Sequence, residues 1–351
     1  MRVISPPGLY TWLLGRRGSW SEEMEARKVQ ITGKSTYMIT LPKKWAVDVG
    51  LQPGSLVSIT HRDDGSLLLT PAKTQPFISR KTLKIDSDMC ELKMDIIGAY
   101  VMGHQVIELN ARRITPEIRK EVKELCKNLI GSEIVEETRS KMVIYDILNP
   151  GEFTIEKGLK RIYALVSGML KDLIDVFDAR IKEEMLSEIV GRDEEVDRVY
   201  LLILKLFLRR LKEGWVSKED QLSLVEAFHF RLAADNLERI GDHTVKIANT
   251  LRSIDFDKDV PKDIIGRLVE VGKDLLDSIE QGVISLRSTD TKLASRVLRE
   301  NARIKWKVLE ISRLTIATPN ALPLGIITDS ISRIGDYTEI IAELAIDLRQ
   351  L

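Results

Sequence analysis

The sequence predicts a multidomain protein: a β-rich N-terminal domain, a small α/β domain and a C-terminal all-α region made of two three-helix bundles. The 351 residues are enough for several domains with cores of their own. Strand-like alternation is confined to the front of the chain, whereas the rest follows a helical period. One helical motif also occurs twice, as "LERIGDHTVKIA" at 237 to 248 and as "ISRIGDYTEIIA" at 331 to 342. This repeat predicts that the helical region is divided into two similar halves.

Composition is typical of a soluble, helix-rich protein in a reducing compartment. Apolar residues make up 44% and charged residues 30% of the chain. No apolar run reaches the roughly 18 residues that a membrane span needs. Cys90 and Cys126 are the two cysteines of the sequence, too few for a disulfide framework or a thiolate zinc site. We therefore expect a cytoplasmic protein.

The charge distribution and the periodicity of apolar residues both divide the chain into a front part and a remainder. Residues 1 to 80 carry 11 Lys and Arg against 6 Asp and Glu, while the rest of the chain carries 42 against 47. The front is therefore basic and the remainder mildly acidic, so contact with nucleic acid is expected at the front only. The expected segments are a disordered leader at 1-24, a β domain at 25-74, an α/β domain at 76-150, a first helical repeat at 154-253 and a second at 261-351.

The β domain consists of two predicted hairpins and a short helix. "KVQIT" and "YMITL" alternate around a Gly-Lys-Ser turn, and "LVSIT" is joined to "SLLLT" through Asp-Asp-Gly, a strong hairpin signal. Between them, "KKWAVDVG" predicts one or two helical turns that end at Gly50. Roughly 45 residues of hairpins bury too little apolar surface to be stable alone. We expect the domain to pair with a copy of itself.

The stretch "GKSTYMITLPKKWAVDVGLQPGSLVSI" resembles the AbrB/SpoVT family of swapped-hairpin DNA-binding domains. The resemblance implies a homodimer with interleaved strands that presents basic side chains to promoter DNA. By position, it implies phosphate contacts from Lys34, Lys43 and Lys44, with Arg62 near the second hairpin as a further candidate. The alternative is a domain that only dimerises or serves as a platform for a partner, with solvated lysines.

The α/β domain is predicted to follow the order strand, helix, strand, helix, strand. Thr115 and Pro116 form a good helix start, because threonine caps and proline suits the first helical position. The last strand is expected within "EIVEETRSKMVIYDIL". No catalytic motif is present, and the isolated His104 and Cys126 are expected to be packed or exposed rather than ligands.

From residue 155 onward, breaks divide the chain into six helices of roughly 25 residues each. The third and the sixth contain the repeated motif, and their apolar positions recur with 4-3-4-3-4 spacing, the seam of a bundle. Gly241 and Gly335 cost roughly 1 kcal/mol each against alanine, which predicts close approach of a neighbouring helix. The seam residues are Ala233, Leu237, Ile240, Thr244, Ile247 and Leu251, matched by Ile327, Ile331, Ile334, Thr338, Ile341 and Ala345.

Three carboxylates of the third helix, Asp235, Glu238 and Asp242, share one face, nearly opposite the seam. Basic residues four positions away, namely Arg231, Arg239 and Lys246, could neutralise this face by ordinary ion pairs. Alternatively, Asp193 and Asp197 of the preceding helix could join these acids in an oxygen-rich site for a divalent cation or iron.

The stretch "RLAADNLERIGDHTVKIA" resembles the signature helix of PhoU domains. The resemblance implies two PhoU-like three-helix bundles that bind metal, iron or zinc above all, through acids of the repeated motif. In the second repeat Ser332 replaces the glutamate, and Asn301 and Lys305 stand where Asp193 and Asp197 would be, so the copies are expected to be unequal. The implied ligands are Asp193, Asp197, Asp235, Glu238 and Asp242 in the first repeat, and Asp329 and Asp336 in the second.

This resemblance implies a regulator of phosphate uptake rather than an enzyme. Combined with the DNA-binding domain, an arrangement that resembles archaeal phosphate-uptake regulators, it implies a negative transcriptional regulator of phosphate transport. The alternative is a dimeric adaptor that docks on a phosphate transporter ATPase or a sensor protein, so that membrane association would occur only through partners. A di-iron oxidase would need Glu-x-x-His pairs in a bundle core, and His243, directly after Asp242, has the wrong spacing.

Overall fold

A computed structural model of the chain describes residues 26–33, 35–61, 65–71, 78–85, 89–148, 153–178, 183–213, 222–254, 258 and 260–350. The chain divides into two units, Met1–Phe77 and Ile78–Leu351. The expected leader at 1-24 and the candidate DNA contacts Lys34 and Arg62 lie outside the described residues.

The front unit contains the two predicted hairpins. Strands β1 (Gln30–Thr32) and β2 (Thr36–Met38) pair antiparallel, as do β3 (Val57–His61) and β4 (Leu67–Pro71), and helix α1 (Lys43–Asp48) lies between the hairpins in sequence. Gly33 takes up a positive φ of 70° in the first turn, a conformation that glycine adopts without strain. The prediction of a hairpin domain is confirmed.

Burial within this unit is very low. None of its residues with a described side chain is fully buried, and Ile31, Tyr37, Leu56 and Ile59 each expose more than half of their surface. Exposed apolar patches of this kind mark surfaces that pack against another chain. In a single copy, these apolar side chains are therefore exposed to solvent and do not form a buried core.

The second unit begins with an α/β layer, in which the described residues form four strands and two helices. Its sheet has the order β5-β6-β8-β7, with β5 and β6 parallel and the other neighbours antiparallel. The Thr115 hydroxyl accepts a hydrogen bond from the Ile118 amide at 3.3 Å, which confirms the predicted cap. The elements are β5 (Arg80–Lys84), α2 (Met89–Val101), β6 (Val106–Asn110), α3 (Pro116–Lys127), β7 (Ser132–Glu137) and β8 (Lys141–Asp146).

The last strand of this layer was predicted as one element and is instead the hairpin β7–β8. The chain reverses between Glu137 and Lys141, where the Thr138 hydroxyl accepts hydrogen bonds from the backbone amides of Ser140 and Lys141. Side chains that bond nearby backbone stabilise turns. Apolar residues on both sides of this polar turn made the whole segment look like one strand in the sequence.

Six long helices follow in the described part of the unit, as predicted. The first three are α4 (Ile155–Asp178), α5 (Glu183–Glu213) and α6 (Leu224–Leu251), and the next three are α7 (Lys262–Ser288), α8 (Thr291–Thr315) and α9 (Ala321–Leu348). Ser223 and Glu226 form a capping box at the start of α6. Among the helices described, none is long and apolar enough to cross a membrane.

The seam residues of α6 and α9 are all buried, so the predicted packing faces are confirmed. Their apolar members belong to one core shared by both bundles. The two buried seam threonines, Thr244 and Thr338, donate to the carbonyls of Ile240 and Ile334, each at 2.8 Å. These bonds satisfy polar groups that would otherwise be buried without partners.

The α/β layer is joined to the first bundle through helix α5. The ammonium of Lys205 lies 2.8 Å from Asp146 Oδ2 on β8, and both side chains are almost fully buried. The Tyr100 ring of α2 lies 4.2 Å from the same ammonium, and its hydroxyl donates to the carbonyl of Ile130 at 3.0 Å. Leucines of α5 add apolar contacts to the α/β core. Helix α5 thus packs against both the α/β layer and the first helical bundle.

Candidate metal site

Four carboxylates from two neighbouring helices form the candidate site: Asp193 and Asp197 on α5, Glu238 and Asp242 on α6. We call them the carboxylate cluster. All four are within interaction range, since each of the other three pKa values responds to the charge of Asp242. None forms an ion pair with a lysine or arginine among the described residues. The structure therefore places four of the five predicted ligands of the first repeat on two neighbouring helices, where Arg239 acts on Glu238 and Asp242 through its charge but forms no ion pair with either.

Burial and mutual repulsion make the cluster hard to ionise. Burial above all, and then the neighbouring carboxylates, raise the pKa of Glu238 to about 7 and that of Asp193 to about 6. Burial also raises the pKa of Asp197 and of Asp242. Carboxylates with raised pKa values hold protons near neutral pH unless another positive charge replaces them. Asp193 and Glu238 are partly buried, whereas Asp197 and Asp242 are exposed, so the cluster lies at the edge of the helix contact and remains open to solvent on one side.

Asp235 is different, because it has partners of its own. The Tyr200 hydroxyl donates to its Oδ1 at 2.8 Å, and Arg231 and Arg239 lie at 3.8 and 3.7 Å. The alternative of ordinary i,i+4 ion pairs therefore holds for Asp235. It does not extend to Asp242, since Lys246 lies 3.8 Å from Asp329 on α9 instead.

The chemistry of the cluster fits a divalent cation. Asp193 Oδ1 is buried and has no hydrogen-bond partner among the described residues, a costly state for a carboxylate oxygen. Hard cations bind several carboxylate oxygens at once. No three acidic, histidine or cysteine side chains in the described part of the chain are already arranged to hold an ion. Binding would require these side chains to rotate toward one another.

Gly241 was predicted to allow close approach of a helix, and its surroundings qualify that prediction. A Cβ placed there would lie 3.6 Å from Val196 Cγ1 and 3.7 Å from Asp193 Oδ1, which are ordinary contacts. An alanine would therefore fit, with its methyl group in ordinary contact with the already buried Asp193 Oδ1.

The second repeat arranges its acids differently. Asp336 lies 2.9 Å from the ammonium of Lys305 and 3.5 Å from Arg333, and Asp329 is largely exposed. Glu339, which was not among the predicted residues, also contacts Lys305 at 2.7 Å. Its position three residues after Asp336 is the signal that could have identified it. Tyr200 was missed too, although it lies three residues after Asp197 on the same helix face.

The two described DNA-contact candidates lie in the front unit. Lys43 and Lys44 are the first residues of α1, and both are exposed. Lysines at a helix start are free to reach an anionic surface, although the helix dipole does not favour them there. Their role in DNA contact remains a prediction.

Two parts of the chain match models of known protein families. The family model "PhoU domain" matches residues 159–251, and the model "Antidote-toxin recognition MazE, bacterial antitoxin" matches residues 30–77. The chain therefore contains a PhoU domain behind an N-terminal domain of the MazE/AbrB type.

The similar curated proteins are phosphate-specific transport system accessory protein PhoU homologs. The homolog of Rhizobium meliloti is 33% identical over 97 residues, which cover 28% of this chain and 38% of that protein. The homologs of Caulobacter vibrioides and Zymomonas mobilis are each 31% identical, over 28% and 29% of this chain and 39% and 40% of theirs. The matches thus span about two fifths of these relatives.

Two solved structures are also similar to this chain. The phosphate transport system regulatory protein PhoU from Streptococcus pneumoniae aligns with a TM-score of 0.47 at 17% identity, over 56% of this chain and 93% of that one. PhoU from Pseudomonas aeruginosa aligns with a TM-score of 0.41 at 19% identity, over 56% and 95%.

Neutralising Glu238 is expected to stabilise the metal-free protein at alkaline pH. Its pKa is raised from the ordinary 4.5 to about 7 in the folded state, so folding favours the protonated form. The associated stability is complete below the ordinary value and is lost as the pH rises through about 7. With a chelator present, Glu238→Gln should therefore raise the Tm at pH 8 by about 2 °C or more, and should change it little at pH 4.5.

The matched control is Glu343→Gln, which removes an exposed carboxylate of α9. This control should follow the wild-type Tm at both pH values. Equal Tm values for wild type and Glu238→Gln at pH 8 would contradict the expectation of an uncompensated charge.

Proposed function

We propose that this chain is a cytoplasmic, metal-binding regulator of phosphate uptake that acts on transcription. Its PhoU domain takes a divalent metal or iron at the carboxylate cluster, with iron or zinc preferred, and its front domain dimerises and binds promoter DNA. The sign of regulation is negative, and the chain performs no catalysis. The observation that carries the proposal is the presence of both domain types in one chain. The names of the relatives, which are accessory proteins of phosphate transport, support it.

Metal binding is supported by the lack of an ion pair at the cluster among the described residues. When bound, an ion would add positive charge beside Glu238 and Asp242, and it could act as a partner for the buried Asp193 Oδ1. Because a metal competes with protons for these groups, binding couples the state of α5 and α6 to metal supply. In this proposal Asp197 is the fourth ligand, while Asp235 orients the surroundings through Tyr200.

Dimerisation is supported by the exposed apolar side chains of the front unit. Small domains with too little core are commonly stabilised by oligomerisation. A second copy covers residues such as Ile31 and Leu56, and it doubles the number of basic side chains that can face DNA. The same surface would also allow dimerisation of an adaptor that docks on a transporter ATPase or sensor and does not bind DNA. A DNA-binding measurement therefore distinguishes the transcriptional regulator from the adaptor.

A gel-shift titration with the DNA upstream of the chain's own coding sequence tests the proposal. We expect binding at low salt whose affinity falls steeply with salt concentration, because each neutralised phosphate releases counterions. Lys43→Ala with Lys44→Ala should reduce affinity by at least about tenfold and flatten the salt dependence.

The control is Lys81→Ala with Lys84→Ala, which removes the same charge from exposed positions of β5 in the second unit. It should bind DNA as the wild type does. No shift at low salt, or equal losses from both pairs, would refute DNA contact through α1 and leave the adaptor.

A further inference from the structure

The second bundle has different side chains at the positions that correspond to the carboxylate cluster. The Asn301 amide of α8 donates to the carbonyl of Gly335 at 3.3 Å, whereas Asp193 of α5 lies 3.7 Å from the Cβ position of Gly241. Asn301 is fully buried at this position. Beside the repeated glycine, the second copy thus has a buried amide where the first copy has a carboxylate.

The ammonium of Lys305 lies where positive charge is needed in the second bundle. It is 2.9 Å from Asp336 Oδ1 and 2.7 Å from Glu339 Oε2. The ammonium therefore bridges two acids of α9 from the neighbouring helix.

The buried polar groups around it are also satisfied. The Ser278 hydroxyl of α7 donates to Asn301 Oδ1 at 3.1 Å, whereas the corresponding oxygen of Asp193 in the first bundle has no partner. A buried oxygen without a partner favours a ligand, and one that already accepts a hydrogen bond does not. The buried amide of Asn301 in the second bundle thus has its partners without an ion.

We propose that Lys305 is a tethered cation that takes the place of the metal ion in the second bundle, so that this chain binds metal at the first bundle only. The ligands that the family resemblance implies there, Asp329 and Asp336, do not fit a metal. Asp336 is already paired, and Asp329 is exposed beside Lys246. An incoming divalent ion would have to displace an ammonium held by two carboxylates and would be repelled by it. The inference rests on the proposed metal binding of the first bundle.

The test uses the full chain with the first site removed by Glu238→Gln and Asp242→Asn. In this background we expect no stoichiometric zinc, measured by elemental analysis after equilibration with zinc and desalting. Adding Asn301→Asp, Lys305→Asp and Ser332→Glu rebuilds the first-repeat pattern and should restore about one zinc per chain. The matched control keeps Lys305 and adds only Asn301→Asp and Ser332→Glu. It should stay without zinc.

Two results would overturn the proposal: zinc binding in the control equal to that in the rebuilt variant, or no zinc in a folded rebuilt variant. Far-UV circular dichroism checks folding. Should the rebuilt variant not fold, Lys305→Gln alone gives a second measurement, since zinc should raise its Tm more than it raises that of the same background with Lys305. An equal rise would again refute a blocking role. Failure of the first-bundle proposal appears separately, as wild-type protein without metal.

Discussion

Replacing Glu238 by Gln and Asp242 by Asn in the otherwise wild-type chain is expected to abolish its metal binding. Both residues lie on α6, and together they contribute half of the carboxylate cluster. Loss of even one outer partner of a metal ligand typically costs about 10- to 100-fold in affinity, so loss of two ligands should exceed about 100-fold. Elemental analysis of protein purified without chelator should fall from about one ion per chain to background.

The control for this double variant is Asp329→Asn, which removes an exposed carboxylate paired with Lys246. It should leave the metal content unchanged. Wild-type affinity should also rise with pH between about 5.5 and 7.5, because Asp193 and Glu238, with pKa values of about 6 and about 7, must release protons to bind. Metal retained by the double variant, or affinity independent of pH, would refute the cluster as the site.

Lys205→Met is expected to cause the largest loss of stability of any single change considered. It would leave the carboxylate of Asp146 buried without its ion-pair partner, a change that typically costs about 3–5 kcal/mol. Because this pair joins the α/β layer to α5, the loss should weaken their contact before it affects the helical core. Urea unfolding followed by circular dichroism should show a lower midpoint or a separate first transition.

A second substitution tests whether the cost comes from the unpaired charge. Adding Asp146→Asn to Lys205→Met removes that charge and should recover a large part of the stability. Lys212→Met is the positional control, since Lys212 also bridges α5 to the α/β layer, by donating to the Met102 carbonyl at 2.8 Å, but does so at the surface. It should cost less than about 1 kcal/mol. Equal losses from Lys205→Met and Lys212→Met would contradict the role assigned to burial.

Sequence reasoning succeeded where one periodicity determines the structure. The seams of α6 and α9 were predicted residue by residue, because a helix that packs on one side must place apolar groups three and four positions apart. The correspondence between Asn301 and Asp193 could also be read from the repeat. The spacing alone did not show whether each acidic side chain has a lysine or arginine beside it. A basic residue four positions away can pair within its own helix or with an acid of a neighbouring helix, and the sequence does not distinguish these two cases.

Contacts between distant segments were beyond this reasoning. Lys205 and Asp146 lie in an apolar run and at a strand end, and neither position predicts a buried ion pair with the other. The hydrogen bond from the Tyr200 hydroxyl to Asp235 likewise depends on how α5 packs against α6, which the sequence does not show. The β7–β8 hairpin was hidden because its turn is polar but contains neither glycine nor proline, the residues that mark turns most clearly.

The scarcity of buried residues in the front unit also has a consequence for cellular amounts. If folding of this unit requires a second chain, its population depends on total protein concentration, as for any obligate dimer. Below the dissociation constant the folded form grows with the square of the amount synthesised, so halving expression removes about three quarters of it. A modest change in synthesis or degradation would then change the amount of folded front unit more than in proportion, with no ligand involved.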